Sequence, residues 1–429
     1  MSIIKPRMIS RIVIPAQAVV LLSAVPVVHG GEWSYTVGDE LGYSTNIGRT
    51  ADREIEEYTN AVRFGVHYEE NSVDLQGSVG FNVEHLSYLS GVFENEIRSY
   101  LNADLRWALL RDRLFWIVEN NLSVEPVSSR RAWIPGNIQQ TNMFSTGPSM
   151  DYRIGSTTRA TIDMRYMNSY AEETTAFNSN RWYLGTSLIQ ERALSTDVSA
   201  NLIWNSVDFK NEEADDYQQI GLFAAWDQQY GRSGLRIELG GLGIDFASGN
   251  SEFGPSARLV WNRLISSASR LIVGFNHGFS DAAQQVARSS RAAPASASII
   301  SSQVFTNSEL ELAYRTEWTQ SALETALHYQ KQDFLNSPDL DQHLFNIRVS
   351  LNRGFGANIN TNLGISFART VYEIDDRSDD TTSPFLGIFV ERNPRLSYSF
   401  RAAWENRDSS VDSSDYRDLM IFAAFSYQR

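Results

Sequence analysis

The chain has 429 residues, of which 42% are hydrophobic and 12% aromatic, and a formal charge of −14. It contains no cysteine, which excludes disulfides, thiolate metal sites, thiol catalysis and a lipoprotein anchor. The acidic balance offers no basic face to nucleic acid.

Lys5, Arg7 and Arg11 precede an apolar stretch from Ile12 to Val28, broken by Pro15, Gln17 and Pro26 and ending in small residues. A basic head, an apolar run and small residues describe a secretory signal peptide over residues 1–30. The alternative is an N-terminal membrane anchor, but the interrupted run falls short of the ~20 apolar residues that a spanning helix needs. Loss of the segment removes three cations and takes the charge from −14 to −17, leaving 31–429 as a single domain.

From residue 32 onward, segments of 10 to 14 residues show period-two character, the signature of strands whose side chains alternate between two faces. In chain order they are 32–45, 57–69, 73–86, 93–109, 114–124, 141–153, 157–170, 180–190, 195–207, 217–228, 233–246, 253–264, 269–279, 306–316, 321–331, 342–352, 357–371, 383–391, 396–406 and 415–427. The alternation is clear where Phe345, Ile347, Val349 and Leu351 interleave with Asn346, Arg348, Ser350 and Asn352, and blurred at 383–391 and 415–427. Every second connection is tight, for example 110–113, 229–232, 353–356 and 392–395. The others are longer and more polar, such as 208–217 and 373–382, and 280–305 is by far the longest.

Such spacing also suits a propeller, but each period holds two long strands where a blade needs four short ones and its own signature. Long strands, short turns at one end, longer loops at the other and an export signal describe a transmembrane up-and-down antiparallel β-barrel. Its strand number is even and about 18 to 20, with short periplasmic turns and long extracellular loops. A sheet can cross a bilayer only by closing on itself, because each backbone polar group must be paired within the protein. Trp107, Trp116, Trp226, Trp261, Trp318 and Trp404 near strand ends fit an interfacial girdle.

Strand parity gives the side chains that line the lumen. These are Arg63, Arg98, Arg106, Arg153, Arg159, Arg165, Arg236, Arg258, Arg270, Arg315, Arg348 and Arg401, with Glu96, Asp104, Glu119, Asp151, Asp163, Glu238, Glu309, Glu311, Glu324 and Glu405. A wall of mixed sign has two accounts: cross-strand ion pairs that stiffen the barrel, or an arginine track that grips a sugar chain or another anionic solute. Excess acid lies in 52–57, 208–216 and 373–380, either as solvated charge or as ligands for Ca²⁺ or Mg²⁺ bridging lipopolysaccharide phosphates. The histidines form no His-x-x-x-His pair and there is no Gly-x-Ser-x-Gly elbow, so the expectation is a protein without catalytic residues, cofactor or defined metal site. The Ala/Ser-rich segment 280–305, with Arg288 and Arg291, suits a short helix; it either folds inward as a constriction or lies on the surface.

The opening strand "GYSTNI", the paired long strands and arginine-rich turns such as "IQERALS" and "VERNPRLSYSF" resemble the outer-membrane β-barrel proteins found with exosortase/PEP-CTERM exopolysaccharide systems. The resemblance spans the mature chain, although the terminal "FSYQR" departs from the aromatic ending of many bacterial barrels. It implies an outer-membrane channel of a Gram-negative bacterium serving exopolysaccharide export. Its partners would be outer-membrane lipids, lipopolysaccharide, a polysaccharide substrate and periplasmic export proteins. The alternative is a structural or adhesive barrel whose acidic loops contact surface polysaccharide or lipopolysaccharide.

Overall fold

The computed structural model describes residues 30–193, 195–212, 215–289 and 299–429. All but the last residue of the expected signal peptide lies outside the described residues.

Twenty strands follow one another. They are β1 (Glu32–Ser44), β2 (Glu57–Asn71), β3 (Leu75–Tyr88), β4 (Glu96–Leu110), β5 (Leu114–Pro126), β6 (Ile138–Arg153), β7 (Thr158–Ala171), β8 (Ser179–Ala193), β9 (Thr196–Phe209) and β10 (Tyr217–Tyr230). The second half comprises β11 (Ser233–Phe246), β12 (Ser251–Ser266), β13 (Ser269–Asp281), β14 (Val304–Trp318), β15 (Ser321–Phe334), β16 (Gln342–Phe355), β17 (Ile359–Tyr372), β18 (Arg377–Asn393), β19 (Leu396–Ser409) and β20 (Tyr416–Gln428). One helix, α1 (Ala282–Ser289), follows β13. Each strand pairs antiparallel with the next, and β20 returns to β1 over Thr36↔Gln428 to Ser44↔Met420, so the sheet is closed. None of the described helices is long and apolar enough to cross a membrane.

The shortest strands have 13 residues. At a rise of about 3.3 Å per residue and a tilt of about 40°, thirteen residues cover roughly 33 Å along the barrel axis. That matches the hydrocarbon core of a bilayer, about 30 Å. The tight turns and both ends of the barrel share one rim, which barrel convention makes periplasmic. Three of these turns place a residue in the left-handed region: Asp112 (φ 61°), Gly231 (φ 53°) and Gly356 (φ 69°). Only β18 departs much from the sequence expectation. It begins at Arg377, so the polar stretch 377–382, expected as loop, is paired strand, with Thr370↔Asp379 and Ala368↔Thr381 in register.

The register also separates the two faces. Gly38↔Arg63, Arg63↔Glu84 and Glu84↔Arg98 put these arginines and glutamates on one side of the sheet. Nine tryptophans occupy the other side: Trp33, Trp107, Trp116, Trp226, Trp261 and Trp318 toward the turn end, Trp182, Trp204 and Trp404 toward the loop end. Two aromatic belts flanking exposed Leu, Ile, Val and Phe side chains form a lipid-facing exterior. Across β2 to β5 that exterior is closely packed, with Tyr68, Leu75, Val79, Leu101, Ala103, Leu105 and Leu122 buried against one another.

Candidate functional site

The lumen is the candidate site, and it is built from the inward-facing residue of each register pair. Glu40, 6% exposed, lies between two arginines: Arg63 donates to its Oε1 at 2.8 Å, and Arg401 to its Oε2. Arg63 also bonds Glu84, and Arg98 bonds Glu96 at 2.7 Å. Arg165 meets Asp163 at 3.1 Å, Arg315 meets Glu324 at 2.8 Å, and Arg153 approaches Glu191 at 3.8 Å. Arg106 lies 3.7 Å from Asp151, and Arg236 lies 3.6 Å from Glu238. Arg63–Glu84 and Arg315–Glu324 are direct cross-strand partners, each contributing a fraction of a kcal/mol, and the other pairs lie along one strand or reach over a neighbour.

Arg258, Arg270 and Arg348 have no ion pair among the described residues. Arg348 lies over the Phe385 ring at 4.6 Å, and Arg270 stands opposite Arg315 in the register. These three arginines do not form one track. Arg258 and Arg270 are on neighbouring strands β12 and β13, while Arg348 is three strands further on, in β16. Arg288 belongs to α1, and Arg291 lies outside the described residues.

The helix α1 reaches into the lumen. Ala282, Ala283 and Val286 are 0–1% exposed and pack with Ala171, Phe177, Ile300 and Met143, which belong to β6, β7 and the loops nearby. On the opposite flank Gln285 exchanges hydrogen bonds with Gln330 and Gln332 of β15 at 3.3 and 2.8 Å, and Gln332 accepts from Gln342 of β16 at 2.5 Å. A helix that touches β6 and β15 at once crosses the interior. Asp281 anchors its start: it pairs with Arg181 of β8, accepts from the Tyr217 hydroxyl of β10, and caps the helix by accepting from Gln284 N–H at 2.9 Å. Arg181 and Asp281 are 2% and 1% exposed.

A second segment also reaches across the loop-side mouth. Arg130, in the 127–137 loop, pairs with Asp375 at 2.9 Å and donates to the Asp339 carbonyl at 2.6 Å. Arg377 in turn donates to the Arg130 carbonyl at 3.0 Å. The loop after β5 is thereby tied to the loops after β15 and β17.

The acidic segments 52–57 and 373–380 run into strands β2 and β18 and are more structured than solvated charge requires. Glu57 is fully buried and accepts from Ser90 N–H and its hydroxyl, while Asp379, 3% exposed, holds Arg377, Arg407 and Ser409. Two groups of side chains place three ligand atoms within 4.8 Å of one another: Glu309, Glu311 and His328 in the lumen, and Asp333, Asp341 and Glu373 at the loop-side rim. The oxygen-rich rim group has the donor type that hard cations take. Burial raises the Asp341 carboxyl above its usual range, and neighbouring Asp333 and Glu373 add to the effect. At the turn end, the Arg111 hydrogen bond holds Asp74 below its usual range.

No family model and no curated protein matches the sequence. Among solved structures, the siderophore receptor PirA from Acinetobacter baumannii aligns with a TM-score of 0.52 at 9% identity, covering 94% of this chain and 81% of that one. The FrpB iron transporter from Neisseria meningitidis aligns at 0.45 and 8% identity over 92% and 82% of the two chains. Pseudomonas aeruginosa OccK2 aligns at 0.40 and 11% identity over 93% and 97%. The likeness is one of fold. The chain is an outer-membrane β-barrel: a closed sheet with an apolar, tryptophan-belted exterior and a charged interior, located in the outer membrane of a Gram-negative bacterium.

Sequence reasoning left out Arg181 and Asp281. Parity places Arg181 on the lumen face beside Met167, and an aspartate directly before an alanine-rich run is a helix-start signal. Their pairing had no local signal, because the partners are 100 residues apart.

Proposed function

We propose that this barrel is an outer-membrane channel serving exopolysaccharide export, narrowed by α1. The observation that carries the reading is a polar, charge-lined lumen with a helix laid across it. A barrel that needed only to stand in the membrane would gain nothing from a polar conduit, whereas a gated channel needs both a conduit and an obstruction. The fold it shares with transport barrels is consistent with this, and the exopolysaccharide substrate rests on the resemblance of strands and turns described above. On this reading the barrel performs no covalent chemistry.

Two measurements test it: ion conductance of the purified protein in planar bilayers, and surface polysaccharide in a deletion strain. A barrel that never conducts, in a strain whose secretion is normal without it, would sink the proposal. The rim group Asp333, Asp341 and Glu373 favours a second reading, an adhesive barrel that binds lipopolysaccharide or surface sugar through divalent cations. Under that reading, replacing the three acids by amides abolishes attachment and leaves conductance unchanged.

A further inference from the structure

Below α1 the lumen wall of β7 to β13 contains a hollow of about 370 Å³, at the lower end of small-molecule sites. Its shape follows from the sequence. Gly185 and Gly278 stand in its lining, so the wall carries no side chain there, and Gly221 and Gly240 face inward beside Phe223. At Gly221 and Gly240 the Phe223 ring lies against the bare backbone; a Cβ would come within 2.7 and 2.6 Å of it. Phe223 and Tyr183 therefore present aromatic surface to the hollow, and Gln284 of α1 lies above it.

Around that surface stand amides and charges of both signs. Asn201, Gln219 and Asn276 offer donors and acceptors. Asp163 is engaged by Arg165 at 3.1 Å, Arg236 lies 3.6 Å from Glu238, and Arg258 completes the set.

We infer that this hollow is a binding site for a small neutral saccharide. Hydroxyl groups need donors and acceptors together, which amides and paired charges supply, and the C–H face of a sugar ring suits Phe223 and Tyr183. The charges lining the hollow balance, Asp163 and Glu238 against Arg236 and Arg258, so neither an anionic nor a cationic solute is favoured over a neutral one. The site deepens the export reading and rests on it only for the claim that sugar passes through this lumen.

The test is equilibrium binding to the purified full-length barrel, with maltose and sucrose as neutral probes and glucuronate and glucosamine as charged ones. Saturable binding of a neutral disaccharide, tighter than either charged sugar, is the expected result. Arg258→Met and Asn276→Leu each weaken it about fivefold, the loss of roughly one hydrogen bond. Ser187 of β8 also lines the hollow, so Ser187→Phe, which fills it, abolishes binding, with Asn201→Leu as the alternative should a variant not fold. Non-saturable binding of both disaccharides, binding indifferent to all these substitutions, or tighter binding of glucuronate would each overturn the assignment. Export itself is read separately, from surface polysaccharide in the deletion strain. Failed sugar binding with export lost removes the site and leaves the channel, whereas intact binding with normal export removes the export reading alone.

Discussion

Asp281 joins the wall to the obstruction. It faces Arg181, Tyr217 and the first turn of α1, and almost none of its surface is exposed. Removing one partner of a buried ion pair leaves the other charge uncompensated, at a cost of about 3–5 kcal/mol. Arg181→Met should therefore free α1 from its anchor while the barrel, held by its closed ladder, stays folded. Hydrogen exchange over 281–289 checks this: faster exchange is expected in Arg181→Met, with much of the protection restored in the Arg181→Met/Asp281→Asn double variant. Equal protection in wild type and single variant would show that the pair does not hold the helix. A second residue, Asp341, gives a pH signature. Its carboxyl is raised by burial above the ordinary value of 3.8, with Asp333 and Glu373 adding to the rise and Lys331 opposing it. The folded loop then binds a proton more readily than the unfolded chain. Its stability increases as pH falls from neutral through the raised value toward 3.8, and is lost as pH rises. Protection of the 335–341 loop, taken relative to the intrinsic exchange rate at each pH, should rise under mild acid, and Asp341→Asn, which keeps an acceptor oxygen, should flatten the dependence.

At the scale of elements, five extracellular loops close in the same way. The residue just before the incoming strand accepts a hydrogen bond from the backbone N–H that ends the outgoing one. The pairs are Asn95 with Tyr88 (3.0 Å), Asn178 with Ala171 (2.7 Å), and Asp216 with Phe209, Asp341 with Phe334 and Asp415 with Ser409 (each 2.6 Å). An Asx side chain that completes such a turn contributes about 1 kcal/mol. Asn178→Ala and Asp415→Ala should each raise local exchange in their own loop by roughly that amount, and Asp415→Asn should change little. No difference between the alanine and asparagine variants would show that the oxygen is not what closes the loop. Where the chain alternates, the strands were legible: Phe345 to Leu351 and Leu363 to Phe367 put apolar groups toward lipid at every second position. Strand ends were less legible, because alternation is imposed only within the hydrocarbon slab. Beyond it both faces meet water, and 377–382 reads as loop although it is paired strand. The Asx closures left a trace, an Asn or Asp directly before each of these strands, but the same residues mark ordinary turns and the trace is ambiguous alone.

At the scale of the whole molecule, parity read strand by strand assigned Arg63, Arg98, Arg165, Arg315 and Arg401 to one wall, although the register shifts at four of the tight turns. What spans the lumen was not legible in the same way. The contacts of α1 with β6 and β15, and of Arg130 with Asp375, exist only because the sheet closes and brings distant strands face to face. The two crossings differ in kind. Arg181–Asp281 is buried, so salt screens it little, whereas the Arg130 and Asp375 side chains are 34% and 51% exposed and contribute at most about 1 kcal/mol. The mouth loop should accordingly respond to ionic strength and α1 should not. Single-channel conductance of wild type should rise more steeply than bulk conductivity as KCl increases, because screening releases the 127–137 loop. Arg130→Ala should return the dependence to proportionality without removing the block by α1. Excising residues 283–302 should instead raise conductance several-fold at every salt concentration, with thermal stability little changed. If the excision leaves conductance as it was, α1 is not the narrowest point and the obstruction lies at the mouth. If Arg130→Ala leaves the steep salt dependence in place, the loop is held by something other than its exposed ion pair.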